Sequence, residues 1–404
     1  MFKIKAKSLA TLTIINAVSA GISYALTISL VKYLGPEIFG IYSYSLLVSS
    51  ILMLVAIYGT DQYAAVIFAQ KQSTKAVFSL IHPLRLYLSF IINILLFFFL
   101  LLTKQTNIFF FVFALGVMNF SLSYVYELTG RNERYAIISL CEKLSYTLII
   151  LFLLGFKLLS IQILFFTLFI ISLISLLFQL FDNLEFIQPF NLPSLTELRA
   201  LFYFNTPIVL VSMSLFVYGG ISRIFLENGL GKDALGKYSA GWQLITISTI
   251  FQSQVSKVWR PILTKAVCEK NDKMLSDQLK SYLYLSILPN IIGGGAIIIF
   301  SKQIVLFLFG ADYIDIISSF NYFGLYFIVI SMASILDMLW IALRKPVIYM
   351  TIQIFFSAGV LLFFYFNYKN MFMVDFAKFT VASHFSLCII LGFSWYLFYS
   401  NSKK

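Results

Sequence analysis

The 404 residues are too apolar for a soluble domain, with 60 % hydrophobic, 11 % charged and a mean hydropathy of +0.91; soluble chains have about 45–50 % and about 25 %. The net charge of +12 comes from basic residues scattered over short polar stretches between apolar runs, which excludes a nucleic-acid surface and points to orientation in a bilayer. Three unclustered cysteines, Cys141, Cys268 and Cys388, exclude a disulfide framework and a cysteine-rich metal site.

The first apolar run, near 9–31, follows Lys3, Lys5 and Lys7. It is too long for the core of a cleaved leader and a second run follows at once, so it is read as a retained first helix. Further runs near 40–60, 80–102, 107–129, 136–155 and 158–181 complete a first six, each long enough for the hydrocarbon core of a bilayer. Asp182 to Arg199 then brings two prolines and a polar connection. A second six follows near 203–227, 238–260, 282–302, 315–342, 347–367 and 372–398. The predicted fold is an all-α polytopic membrane protein of twelve transmembrane helices. Residues 1–181 form an N-terminal six-helix lobe, 182–202 a cytoplasmic linker and 203–404 a C-terminal six-helix lobe.

The connection between the first and second runs is a closely specified turn, and it recurs. Leu34-Gly35-x-Glu37-x-x-Gly40-x-Tyr42-Ser43 aligns with Leu230-Gly231-x-Asp233-x-x-Gly236-x-Tyr238-Ser239 at a constant offset of 196, the distance from Gly35 to Gly231. Six helices per half bring both halves in from the same side, so the repeat is parallel, a pseudo-two-fold along the membrane normal. A weaker echo pairs Gly130–Tyr135 (GRNERY) with Leu343–Tyr349 (LRKPVIY). Pro207, and Pro289 with Gly293 to Gly295, predict kinks in helices seven and nine. With the N-terminus inside, nineteen of the 29 basic residues face the cytoplasm, nine lie outside and Lys143 falls within a span. Both termini are therefore expected in the cytoplasm.

Catalytic signatures are missing. His82 and His384 have no acid at a suggestive spacing, and neither a Gly-x-Ser-x-Gly nor a Cys-x-x-Cys occurs. Gly231 to Lys237 has the spacing of a phosphate-binding loop, but Tyr238 stands where Ser or Thr would hold magnesium and no strand precedes it. No metal and no cofactor are expected, and the protein is not read as an enzyme. The outer connections are short, which leaves passage across the bilayer as the function.

Ionisable groups inside a bilayer are costly and mark cavities or internal pairs. Glu142 and Lys143 lie about two turns into helix five and point about 100° apart. Asp61 sits on helix two beside Gln62, Asp337 lies well inside helix ten, and Arg223 lies six residues before Gly229 at the outer turn. These five are the candidates for substrate binding in a cavity. Arg223 has two open readings, a phosphate contact or an i, i+4 pair with Glu227. Arg85, Lys257 and Arg260 are candidates for the cytoplasmic entrance. For Arg85 the alternative is snorkelling to headgroups. Lys257 and Arg260 open a basic stretch with apolar residues at helical spacing, as in an interfacial helix. Glu127 and Arg131 are spaced to pair at a helix end.

The stretch VKYLGPEIFGIYSYSLLVSSILMLVAIYGTDQY (Val31 to Tyr63) resembles the opening of Wzx-type polysaccharide, or lipid-linked oligosaccharide (O-antigen), flippases of the multidrug/oligosaccharidyl-lipid/polysaccharide exporter superfamily. Leu308 to Tyr313 (LFGADY) is similar to a second feature of that family. The resemblance implies two six-helix lobes around a central cationic cavity that faces cytoplasm and periplasm in turn. It implies an undecaprenyl-pyrophosphate oligosaccharide as cargo for surface polysaccharide assembly, and H+ or Na+ as a coupling ion. It further implies the bacterial inner membrane as location, with polysaccharide polymerase and glycosyltransferases as partners. Ser222 stands before Arg223 where many relatives carry an acid, so no ion-coupling role is carried over to this position. The alternatives are a drug or cation antiporter of the same superfamily and a membrane-embedded glycosyl- or acyltransferase.

Overall fold

The computed structural model of the protein describes residues 2–61, 64, 67–68, 73–102, 109–187, 194–343 and 345–401. Every regular element among them is helical. Among the described residues, ten helical stretches are long and apolar enough to span a membrane. Two are far longer than one crossing, Ile14–Ile57 with 44 residues and Thr196–Arg260 with 65. Each is broken once, at Gly35 (φ 70°) and at Gly231 (φ 84°). Splitting these two gives twelve crossings, in the order that the apolar runs predict.

In chain order the helices are α1 (Phe2–Ile57), α2 (Thr74–Leu102), α3 (Phe109–Met118), α4 (Ser123–Leu128), α5 (Asn132–Gly155), α6 (Ile161–Asp182) and α7 (Leu195–Phe216). Then come α8 (Ser222–Cys268), α9 (Asp272–Tyr282), α10 (Leu288–Ile299), α11 (Ser301–Leu308), α12 (Ile317–Leu343), α13 (Pro346–Asn367) and α14 (Met373–Asn401). By packing they form two units. One holds Met1–Ser29 and Ser45–Ser212, the other Leu30–Tyr44 and Met213–Lys404.

The duplicated turn has a physical reason. Gly35 and Gly231 share one backbone conformation, with positive φ and ψ of 170° and −178°, which an L side chain rarely adopts. Five residues on, a Cβ at Gly40 would strike the carbonyl of Lys232, and one at Gly236 would strike the carbonyl of Pro36. Pro36 and Lys232 are themselves separated by the repeat offset, so the contact is reciprocal: each turn offers a carbonyl to the other's glycine. That is the geometry of a local two-fold. Both turns belong to the second unit. There, Tyr313 of the LFGADY stretch donates a 2.9 Å hydrogen bond to the carbonyl of Val31, just before the first turn.

Three expectations are corrected. The basic stretch after Lys257 is not a separate interfacial helix: α8 continues to Cys268, and α9 begins a new span that runs from Asp272 to Ile299. Arg131 does not pair with Glu127; it turns to Asp182 and Asn183 at the end of α6, where two acceptors are available instead of one exposed acid. Arg85 does not snorkel, for reasons given below. The expected distortion of helix nine is a π-turn, Leu283–Ile287, immediately before Pro289. Proline has no N–H to offer the carbonyl four residues back, and a widened turn absorbs the loss. A second π-turn, Val217–Ile221, joins α7 to α8 ten residues beyond Pro207.

Candidate functional site

Helix α6 is almost wholly apolar, yet Ser172, Ser175 and Gln179 recur at three- and four-residue spacing, which puts them on one face. All three are buried. Buried polar groups need partners, and these find them on α5 and at the α3–α4 break. Ser175 donates to Glu142 at 2.7 Å and Ser172 at 3.4 Å. The break between α3 and α4 frees the backbone N–H of Leu122, as every helix start does, and Gln179 Oε1 accepts it at 2.9 Å. The same oxygen accepts from Ser121 at 3.3 Å, and the Ser121 and Tyr135 hydroxyls lie 3.2 Å apart.

Arg85 meets this network from α2. Its guanidinium donates to Asp61 Oδ1 at 2.5 Å, to Thr60 Oγ1 at 2.7 Å and to the Ser121 carbonyl at 3.2 Å, and it stacks over Tyr124 at 4.8 Å. The arginine side chain is 2 % exposed and that of Asp61 is 37 % exposed. A fork satisfied on three sides has no reason to reach for headgroups, so the snorkelling reading of Arg85 is replaced by an ion pair between a buried arginine and a partly exposed aspartate. Asp61, Arg85, Glu142 and Lys143 all border one cavity of about 290 Å³. Two of its four charges are negative and two positive. Asn119 also borders it, and its buried amide has no partner for either polar atom among the described residues.

The remaining candidates lie in the second unit. Arg223 donates to the Gly219 carbonyl at 3.1 Å and sits over the Trp242 indole at 5.3 Å. Among the described residues these are its contacts and no ion pair with Glu227 is formed, and its Nε has no acceptor. Asp337 accepts from the Tyr349 hydroxyl at 2.6 Å, which in turn receives the Gln353 amide at 3.1 Å. Tyr218 donates to the Gln353 carbonyl at 3.3 Å and stacks on His384 at 5.1 Å. His384 Nδ1 lies 2.7 Å from the Tyr326 hydroxyl, whose ring is 5.3 Å from Trp242. Arg223 and Asp337 thus sit at opposite ends of one packed polar and aromatic chain. Arg260 is exposed, and the side chain of Lys257 lies outside what the structure describes.

The structure therefore joins Asp61, Arg85, Glu142 and Lys143 within the first unit, while Arg223 and Asp337 belong to the second. The sequence reading missed Asn119, Ser172, Ser175 and Gln179 at the cavity and Tyr349 and Gln353 beside Asp337. For α6 a signal existed in the spacing of three polar residues along an apolar run. For Tyr349 and Gln353 none did, since neither carries a charge.

The sequence profile of a family described as polysaccharide biosynthesis protein matches residues 6–267. No curated protein matches the chain in sequence. Among solved structures, the inward-facing conformation of a multidrug resistance MATE family transporter of the MOP superfamily superposes with a TM-score of 0.73, at 13 % identity over 94 % of each chain. The outward-facing conformation of such a transporter gives 0.63 at 14 % identity, over 98 % of this chain and 96 % of that one. A MOP superfamily transporter from Pyrococcus furiosus, described as having a binding pocket of reverse polarity, gives 0.64 at 12 % identity with the same coverage. At these identities the likeness establishes the fold, that of the MOP superfamily, and with twelve apolar crossings it makes the protein a multi-pass membrane protein. By its own sequence, the chain belongs to the polysaccharide biosynthesis protein family.

Proposed function

We propose that the protein carries an undecaprenyl-pyrophosphate-linked oligosaccharide from the cytoplasmic to the periplasmic leaflet of the bacterial inner membrane by alternating access. The observation that carries this reading is the cavity of the first unit, whose lining combines balanced charges with neutral hydroxyl and amide groups. A sugar presents several hydroxyls, each of which needs a partner once out of water. Serines, Asn119, Gln179 and Tyr135 supply donors and acceptors of that kind. A binding site for a drug cation is served better by uncompensated carboxylates, whereas here Asp61 is already held by Arg85. The volume is just below the usual ligand-pocket range of about 300–1,000 Å³, which suits one sugar ring of the cargo rather than a whole repeat unit.

The test is reconstitution into vesicles with a fluorescent polyprenyl-pyrophosphate oligosaccharide whose exposure at either leaflet is read by an impermeant quencher. The wild-type protein is expected to equilibrate the lipid between leaflets, and Asn119→Leu and Gln179→Leu to slow it. Transport of a cationic dye by the same vesicles, with no movement of the lipid, would establish the antiporter reading instead.

A further inference from the structure

A second cavity, about 380 Å³, opens between α5 and α6 in the first unit. Its walls are Ile137, Ile138, Ile171, Ile174 and Phe178. Ile137, Ile174 and Phe178 are more than half or about half exposed, at 50 %, 57 % and 54 %. Its lining is mostly apolar, Glu142, Ser145 and Ser175 being the polar residues along it, and Arg134 borders one end. From Arg134 to Ser145, which also borders it, eleven helical steps span about 16 Å.

We propose that this groove binds the polyprenyl chain of the cargo lipid, with the diphosphate at the Arg134 end. The inference rests on the function proposed above and deepens it. Charge at that end favours an anion: Arg131 and Arg134 both pair with a single carboxylate, Asp182, and the Arg134 side chain remains 57 % exposed. An arginine fork with a free edge donates to a pair of phosphate oxygens as readily as to a carboxylate. Continuity favours the cargo over bulk phospholipid. Glu142 and Ser175 border both the groove and the polar cavity. Arg134 borders the groove while its chain neighbour Tyr135 borders the cavity. A diphosphate at Arg134 therefore has its attached sugar beside the polar cavity, whereas a phospholipid has no sugar to put there.

Cys141 borders the groove and is exposed, which makes it a native reporter. Cys268 is exposed too and serves as an internal reference. The full-length protein in nanodiscs is alkylated with a membrane-permeant maleimide, and labelling at each cysteine is followed by mass spectrometry. The lipids added are undecaprenyl diphosphate and, separately, phosphatidylglycerol at equal mole fraction. Undecaprenyl diphosphate at about ten times its dissociation constant is expected to slow Cys141 alkylation roughly tenfold by occupancy, with Cys268 unchanged and phosphatidylglycerol without effect. Ile174→Trp, which fills the groove, is expected to abolish the lipid-dependent difference. Native mass spectrometry on the same samples reports whether the diphosphate binds the protein at all. Binding without protection of Cys141, or equal protection by both lipids, overturns the groove assignment and leaves the transport reading standing. No binding removes both.

Discussion

In the first unit, Arg85 divides its donors between Asp61, Thr60 and the Ser121 carbonyl, and the resulting pair borders an open cavity. In the second unit, Arg223 has a backbone carbonyl and an indole face, while the acid at the far end of the same chain, Asp337, is held by a phenol. Tyr238, Trp242 and Tyr326, 0 %, 8 % and 4 % exposed, belong to the packed core on the arginine side. A compensated pair at a cavity wall can exchange a protein partner for a ligand with little net loss of charge pairing. An arginine without a carboxylate keeps its attraction for an anion in reserve, since ring quadrupoles supply only part of what a counter-ion would. A charged residue inside a span therefore carries different meanings in the two units, and its partner decides which.

The strongest break in this comparison is removal of one partner in the first unit. Asp61→Leu leaves Arg85 buried and uncompensated, a change of about 3–5 kcal/mol, read as a fall in the thermal midpoint of the detergent-solubilised protein. Adding Arg85→Leu should restore most of the loss; a double variant as unstable as the single would mean that packing, not pairing, sets the stability there.

A smaller effect is expected in the second unit. Arg223→Ala removes the contact with Trp242, roughly 1–2 kcal/mol for a desolvated cation–π pair. If the proposed function holds, surface polysaccharide at matched protein levels should fall severely in Arg223→Ala and stay near wild type in Glu227→Ala. Equal defects in the two variants would show that the residues act as a pair after all.

Least is expected of Lys237, which bridges Asp233 at 3.0 Å and Asp315 at 2.8 Å with both carboxylates more than half exposed. Exposed pairs contribute about 0–1 kcal/mol, so Lys237→Ala should shift the thermal midpoint only marginally, and less still in high salt. A large shift would show that the bridge is shielded from solvent.

The helical architecture was legible because bilayer thickness imposes a length on each apolar run, and composition alone reports that length. The two turns were legible because their glycines stand at an identical spacing in both copies. The cavity was half legible. Asp61, Glu142 and Lys143 are conspicuous as charges in apolar surroundings, but nothing in the order of residues says that they meet Arg85, whose neighbours along the chain suggest a membrane interface. The partner of Arg85 comes from 24 positions earlier, and Glu142 is held by serines 30 and 33 positions later. Pairings across helices of that kind are settled by packing, which periodicity within one helix does not encode. The same limit explains Arg131, for which the nearest acid in sequence is not the acid it meets.

Duplicated segments ordinarily drift apart, since each copy can lose what the other retains. Gly40 and Gly236 are not free to do so. A side chain in either copy would intrude on the backbone of the opposite turn, so a change tolerable to one repeat in isolation becomes damage to its twin. The two positions constrain one another, and the duplicated turn stays readable at this spot because each repeat supplies the mould for the other.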